Sequence, residues 1–206
     1  MPQGRPREFD VERALDAALD VFWRKGYEGA SLSDLTEAMG INRPSLYAAF
    51  GNKEELFRRV LCRYVEGPAG FVLKALDEPK ARSVAEGLLN RAVDLSADPR
   101  NPRGCLLVQG ALVCGEAADS VRQELVARRA AGEARIRERF ERARAAGDLP
   151  GDANPADLAR YVVTVMRGMA VQAAGGASET ELRRVAEMAM RAWPERRRRT
   201  RRRRQG

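Results

Sequence analysis

Residues 26–56 read GYEGASLSDLTEAMGINRPSLYAAFGNKEEL, and this stretch holds three helix starts separated by two glycine stops. Ser31 can cap a helix, with Asp34 three residues on as a capping-box variant, and Leu32, Leu35 and Met39 form one apolar face before Gly40 ends it. Asn42 caps the next helix. Pro44 is tolerated in its first turn, Leu46 and Phe50 fall four residues apart on the buried side, and Gly51 closes it. Asn52-Lys53-Glu54-Glu55 is a second capping box, opening a helix through Leu56, Phe57, Val60, Leu61 and Tyr64 to about Gly67. Two short helices meeting across Gly40-Ile41-Asn42 are a helix-turn-helix candidate, the geometry that sends the start of its second helix into a DNA major groove.

Upstream, Asp10 is an N-cap and Val11, Ala14, Leu15, Ala18 and Phe22 line one face of a first helix that should stop at Gly26. Downstream, the chain changes character between Gly67 and Pro79, then resumes helices at about 81–97, 104–117 and 120–146. On the last of these, Glu124/Arg128, Glu133/Arg137 and Glu138/Arg142 stand four apart, the pattern of a solvated face. Asn154-Pro155 opens a helix that is apolar all round, so both its sides should be buried, one of them against another subunit. A final helix begins at the box Ser178 to Glu181 and ends before Pro194. No stretch alternates apolar and polar residues as a strand would, so the fold is expected to be all-α. The expected organisation is an arm and helix-turn-helix domain over 1–52, a larger helical domain over 53–194, and an Arg-rich tail over 195–206.

Composition narrows the function. The 206 residues include no histidine, which removes the imidazole-based nucleophile pairs, metal ligands and proton shuttles, and no clustered carboxylates replace them. Neither catalysis nor a metal or other cofactor is expected. Cys62, Cys105 and Cys114 form no CxxC pair and read as reduced thiols. The N-terminus lacks the apolar run of a secretory signal and no segment reaches the ~18 apolar residues of a membrane span, so a cytoplasmic protein without membrane contact is expected. The net charge of +8 sits in the tail: residues 195–206 carry eight arginines and one glutamate, leaving +1 for the rest. Residues 1–60 hold nine basic and ten acidic side chains, so the helix-turn-helix must grip through placed contacts rather than a diffuse field.

Gly26-Tyr27, Ser31-Leu32, Asp34-Leu35, Gly40-Ile41, Ser45-Leu46-Tyr47, Phe50, Asn52-Lys53 and Leu56 resemble the N-terminal signature of the TetR family of transcriptional regulators. The resemblance spans about Phe9 to Tyr64. It implies that Arg43 and Ser45 face bases, that the Tyr47 hydroxyl meets a phosphate and that Lys53 clamps the backbone, with Ser31 and Asn42 at the helix starts beside them. Arginine can grip guanine bidentately, and a helix N-terminus beside a lysine is a phosphate site. Arg43 could equally serve a phosphate, Tyr47 could simply pack, and Lys53 could be an ordinary surface charge.

The resemblance further implies a homodimer on a pseudo-palindromic operator, joined by its last two helices, with a small-molecule effector releasing the DNA. Candidate effector contacts are Phe71, Leu107, Gln109, Cys114, Tyr161, Met166, Met169 and Gln172, each of which could instead be core. Cys105 adds a chemical possibility: Arg103-Gly104-Cys105 puts a thiol at a helix start beside an arginine, as in TetR-like regulators that use such a cysteine as a sensor, though small apolar packing is the plainer role. The tail is either a phosphate attractor or a solvated extension. If it were the main grip, the protein would be an architectural, nonspecific DNA binder.

Overall fold

The computed structural model describes residues 9–112 and 118–194, with the side chains of 110–112 outside the description. Cys114 and the tail lie outside the described residues. Ten α-helices and one short 3-10 turn are found there, and no strand. They are α1 (Val11–Gly29), α2 (Leu32–Met39), α3 (Arg43–Phe50), α4 (Lys53–Glu66), α5 (Phe71–Leu76), α6 (Ala81–Ala97), α7 (Leu106–Leu112), α8 (Asp119–Ala145), α9 (Pro155–Ala174) and α10 (Glu179–Arg191).

The expected caps form. Asp10 accepts the amides of Glu12 and Arg13, and reciprocal capping boxes close at Ser31/Asp34, Asn52/Glu55 and Ser178/Glu181. Gly40 takes φ 66° in the left-handed region, and its amide reaches Glu37 and Thr36, so the chain reverses sharply enough for α3 to cross α2. At Gly26 the first helix breaks as expected, but one further turn follows and carries it to Gly29. The irregular stretch after Gly67 is more ordered than its prolines suggest: Pro68–Gly70 winds a 3-10 turn directly into α5.

Two apolar cores divide the molecule. One gathers Leu15, Phe22 and Trp23 of α1, Leu35, Leu46 and Phe50 of the helix-turn-helix, and Leu56, Phe57, Leu61 and Tyr64 of α4, together with Leu106, Val121 and Leu125. The other gathers α6, α9, α10 and the far half of α8 around Leu88, Leu89, Phe140, Val162 and Trp193. α8, about 40 Å long at 1.5 Å per residue, is shared by both. α4 packs wholly with the first core, tied to α1 by Arg63, which bridges Glu12 and Asp16 at 2.8 Å each.

α8 corrects one expected pairing. Arg128 does pair with Glu124 at 2.6 Å, but Arg137 turns to Glu141, and Glu133 leaves its own helix to meet Arg160 of α9 at 3.1 Å. The reason is position, since Glu133 lies on the side of α8 that packs against α9. α9 is buried on one side only within a single chain; Tyr161 and Val171 stay exposed, as do Val185 and Met188 of α10.

Candidate nucleic-acid interface and effector cavity

The helix-turn-helix stands on a rigid base. Phe22 and Phe57 meet edge to face at 4.9 Å, Trp23 and Tyr64 at 4.8 Å, and Leu35, Leu46 and Phe57 are fully buried beneath α2 and α3. Lys25 of α1 reaches Asp34 of α2 at 2.7 Å, and that ammonium, with the Ser31 hydrogen bonds, holds the Asp34 carboxyl down to about 2.

On this base the outer face of α3 is open. Asn42 and Arg43 are exposed, Ser45 is half-buried, and Tyr47 keeps 48% of its surface in solvent although it is aromatic. Asn42 Oδ1 accepts the Ser45 amide at 2.8 Å, which fixes the helix start. The Arg43 guanidinium donates to Ser33 Oγ at 3.0 Å, a neutral contact that an approaching base or phosphate can replace. Ser31 spends its hydroxyl on the Asp34 amide at 3.0 Å. Lys53 lies 4.5 Å over the Tyr27 ring, and burial pushes its pKa down, with Glu28 opposing the shift. Its head is therefore oriented rather than free to sweep.

Where the two cores meet, a cavity of about 130 Å³ opens among α4, α5, α6, α7, α8 and α9. Four expected effector contacts line it: Phe71, Cys105, Leu107 and Met166. The others do not. Gln109 donates to the Arg103 carbonyl at 3.1 Å, the Tyr161 hydroxyl to the Ala189 carbonyl of α10 at 3.1 Å, Met169 is buried in the second core, and Gln172 is exposed on α9.

Sequence reasoning missed Tyr64, Arg129, Gly132 and Arg167 on the cavity wall. A signal was present. Arg129 and Gly132 fall on the apolar stripe of α8 between Leu125 and Ile136, and Arg167 falls between Val163 and Ala170 on α9, so a cation and a glycine stand where filling side chains belong. Burial and the neighbouring Arg129 lower the pKa of Arg167, with Glu133 opposing.

Tyr64 connects cavity and head. Its hydroxyl donates to Cys105 Sγ at 3.3 Å, and burial pushes its pKa well up, so the phenol stays a protonated donor. One residue earlier, Trp23 Nε1 donates to the Gly104 carbonyl at 3.3 Å. Gly104 has φ 89°, and a β-carbon there would fall 2.5 Å from the Gln109 side chain and 3.1 Å from the Ala170 carbonyl.

Comparison with known proteins agrees with this layout. The family model "Bacterial regulatory proteins, tetR family" matches residues 14–60, and "Tetracyclin repressor-like, C-terminal domain" matches residues 86–193. The HTH-type transcriptional repressor ComR of Escherichia coli is 33% identical over 94% of this chain and 93% of its own. The chain belongs to the TetR family. Among solved structures, the TetR family regulator CifR, a cysteine mutant complexed with 26-bp double-strand operator DNA, is 45% identical, with TM-score 0.88 over 92% of this chain and 100% of that one. A putative TetR regulator from Rhodococcus sp. RHA1 is 39% identical, with TM-score 0.61 over 90% of this chain and 100% of that one. TetR regulators act as dimers on DNA and answer to small molecules, and the exposed α3 and the cavity occupy separate parts of this member. Among the described residues no helix is long and apolar enough to cross a membrane.

Proposed function

We propose that this TetR-family protein is a homodimeric transcriptional repressor that binds a pseudo-palindromic operator and lets go when its cavity is filled or Cys105 is modified. The observation that carries the DNA half is the 45% identity to CifR, seen with operator DNA, combined with an exposed α3 held by a tightly packed base. Arg43 and Ser45 read bases; Tyr47 and Lys53 hold phosphates; Ser31 and Asn42 set the helix starts at the same surface. The exposed Tyr161, Val171, Val185 and Met188 form the apolar surface on which a second copy seats. The division is functional, with residues 1–52 the reader, 53–194 the effector and dimer body whose first helix, α4, packs under the reader and lends it Lys53, and 195–206 an appended basic tail.

Release depends on differential affinity: an effector frees DNA only if it binds the non-binding arrangement of the heads better than the binding one. The contacts Trp23 to Gly104 and Tyr64 to Cys105 supply the link, because both join a head helix to the Gly104-Cys105 step, whose cysteine lines the cavity. Selection of bound sequences from a random DNA pool, with the full chain and with the chain lacking residues 195–206, tests the reading. A palindrome shared by both supports it. Binding without a motif, lost together with the tail, would replace it with nonspecific attachment.

A further inference from the structure

The cavity wall is almost wholly hydrocarbon. Phe71, Val72, Ala92, Leu95, Leu107 and Ile136 supply most of it, and the charged residues that border it have their polar ends engaged elsewhere. Arg129 donates to the Leu107 carbonyl at 3.2 Å, Arg167 to the Arg129 carbonyl at 3.1 Å, Arg128 to Glu124 and to Cys62 Sγ, and Tyr64 to Cys105 Sγ. Glu133 is taken up by Arg160. Among the described residues, no buried side-chain nitrogen or oxygen lacks a hydrogen-bond partner.

A ligand entering such a space meets a wall that turns almost no polar surface toward it, so most polar groups it carries give up their water without replacement. Size sets the second limit. An apolar cavity of about 150 Å³ stays dry and takes benzene, which makes 130 Å³ room for one small ring or a short branched chain. Gly132 shows that the space is a real vacancy in the stripe of α8: a β-carbon there would meet nothing within 4 Å.

We infer that the effector is a small, uncharged, apolar molecule of about the size of toluene, seated between Phe71, Leu107 and Ile136 with the Cys105 sulfur at its side. This rests on the reading of the cavity as the effector site. Charged analogues are disfavoured by desolvation even though Arg129 and Arg167 stand close, because one donor of each guanidinium is held by a carbonyl oxygen and the wall they border turns almost only hydrocarbon to the cavity.

The test uses the purified full chain without DNA and three probes of one shape: toluene, benzoate and benzylamine. Binding is read by calorimetry and by the rise in melting temperature that a native-state ligand produces. Toluene is expected to bind at least about tenfold more tightly than either ion. Gly132→Leu should fill the vacancy, abolish toluene binding and retain the helical fold, with Gly132→Ala intermediate and serving as the check should leucine overpack. Benzoate binding as tightly as toluene, with the preference lost in Arg167→Met, overturns the inference in favour of an anion site. Binding by none of the three overturns it outright. A gel-shift arm separates the two readings: toluene that binds but leaves operator DNA bound upholds the ligand class and counts against the effector role.

Discussion

The head and the cavity region are built on opposite terms. In the head, most large apolar residues of α1 to α4 that the helical periodicity points inward are buried against one another, with Val11 at the start of α1 exposed and Leu32 half-buried, and aromatic rings interlock at 4.8 to 5.1 Å. At the cavity, cations and a glycine interrupt the apolar stripes of α8 and α9, and space remains. Dense packing suits a platform that must hold α3 at a fixed angle to DNA. A region that must accept a molecule leaves contacts unmade, and that lost packing is a standing cost in stability.

The largest expected effect follows directly. Phe57→Ala removes a fully buried ring from the head and should cost about 3–5 kcal/mol, whereas Met166→Ala beside an existing void should cost about 1 kcal/mol. Urea unfolding followed by circular dichroism measures both. Equal costs would mean that the cavity region is as tightly packed as the head.

Next in size are the DNA contacts. Tyr47→Phe with Lys53→Ala should weaken binding about equally on every sequence, while Arg43→Ala should cost about 1–3 kcal/mol on the preferred operator and much less on others. Uniform loss for Arg43→Ala would make it a phosphate contact. On the cavity side, peroxide or a thiol-reactive electrophile should release DNA from the wild type and not from Cys105→Ser, since Cys105 lines the cavity and receives the Tyr64 hydroxyl. Release from both proteins would locate the reactive group elsewhere.

The same contrast explains what the sequence could tell. Caps and turns are local, so Ser31, Asn42, Asn52 and Ser178 announced their helices, and the fixed spacing of Leu35, Leu46, Phe50 and Leu56 announced the head's core. A cavity is an absence created by residues far apart in the chain. Phe71, Cys105, Leu107 and Met166 are legible as apolar or small residues near it, but Gln109, Tyr161 and Gln172 look equivalent in the sequence, whereas in the fold Gln109 turns back to the Arg103 carbonyl, Tyr161 to the Ala189 carbonyl of α10, and Gln172 to solvent. Arg129 and Arg167 were hidden for the opposite reason, because a charged residue on a long helix reads as solvated unless its neighbours on the same stripe are examined.

Acid sets the smallest test, and it too separates two regions. The carboxyls of Asp34 in the head and Asp98 in the body are both held down to about 2, Asp34 chiefly by Lys25 and Asp98 chiefly by Arg100. A carboxylate whose folded pKa is depressed adds stability above its unfolded value, and that stability is lost as pH falls through the folded one, so both act between about pH 4 and pH 2. Their partners differ in kind. Lys25 and Asp34 belong to α1 and α2 and meet only in the folded head, whereas Arg100 is two residues from Asp98 and can reach it in an unfolded chain as well. The first pair therefore links protonation to folding more strongly than the second. Unfolding midpoints between pH 5 and pH 2 should fall less steeply for Lys25→Met than for the wild type, with a remnant from the Ser31 hydrogen bonds, while Arg100→Met should leave the slope nearly unchanged. High salt should narrow the gap, since Lys25 and Arg100 are exposed and their carboxylate partners only half-buried. A larger change for Arg100→Met would show that the local pair, not the one joining two helices, carries the acid sensitivity.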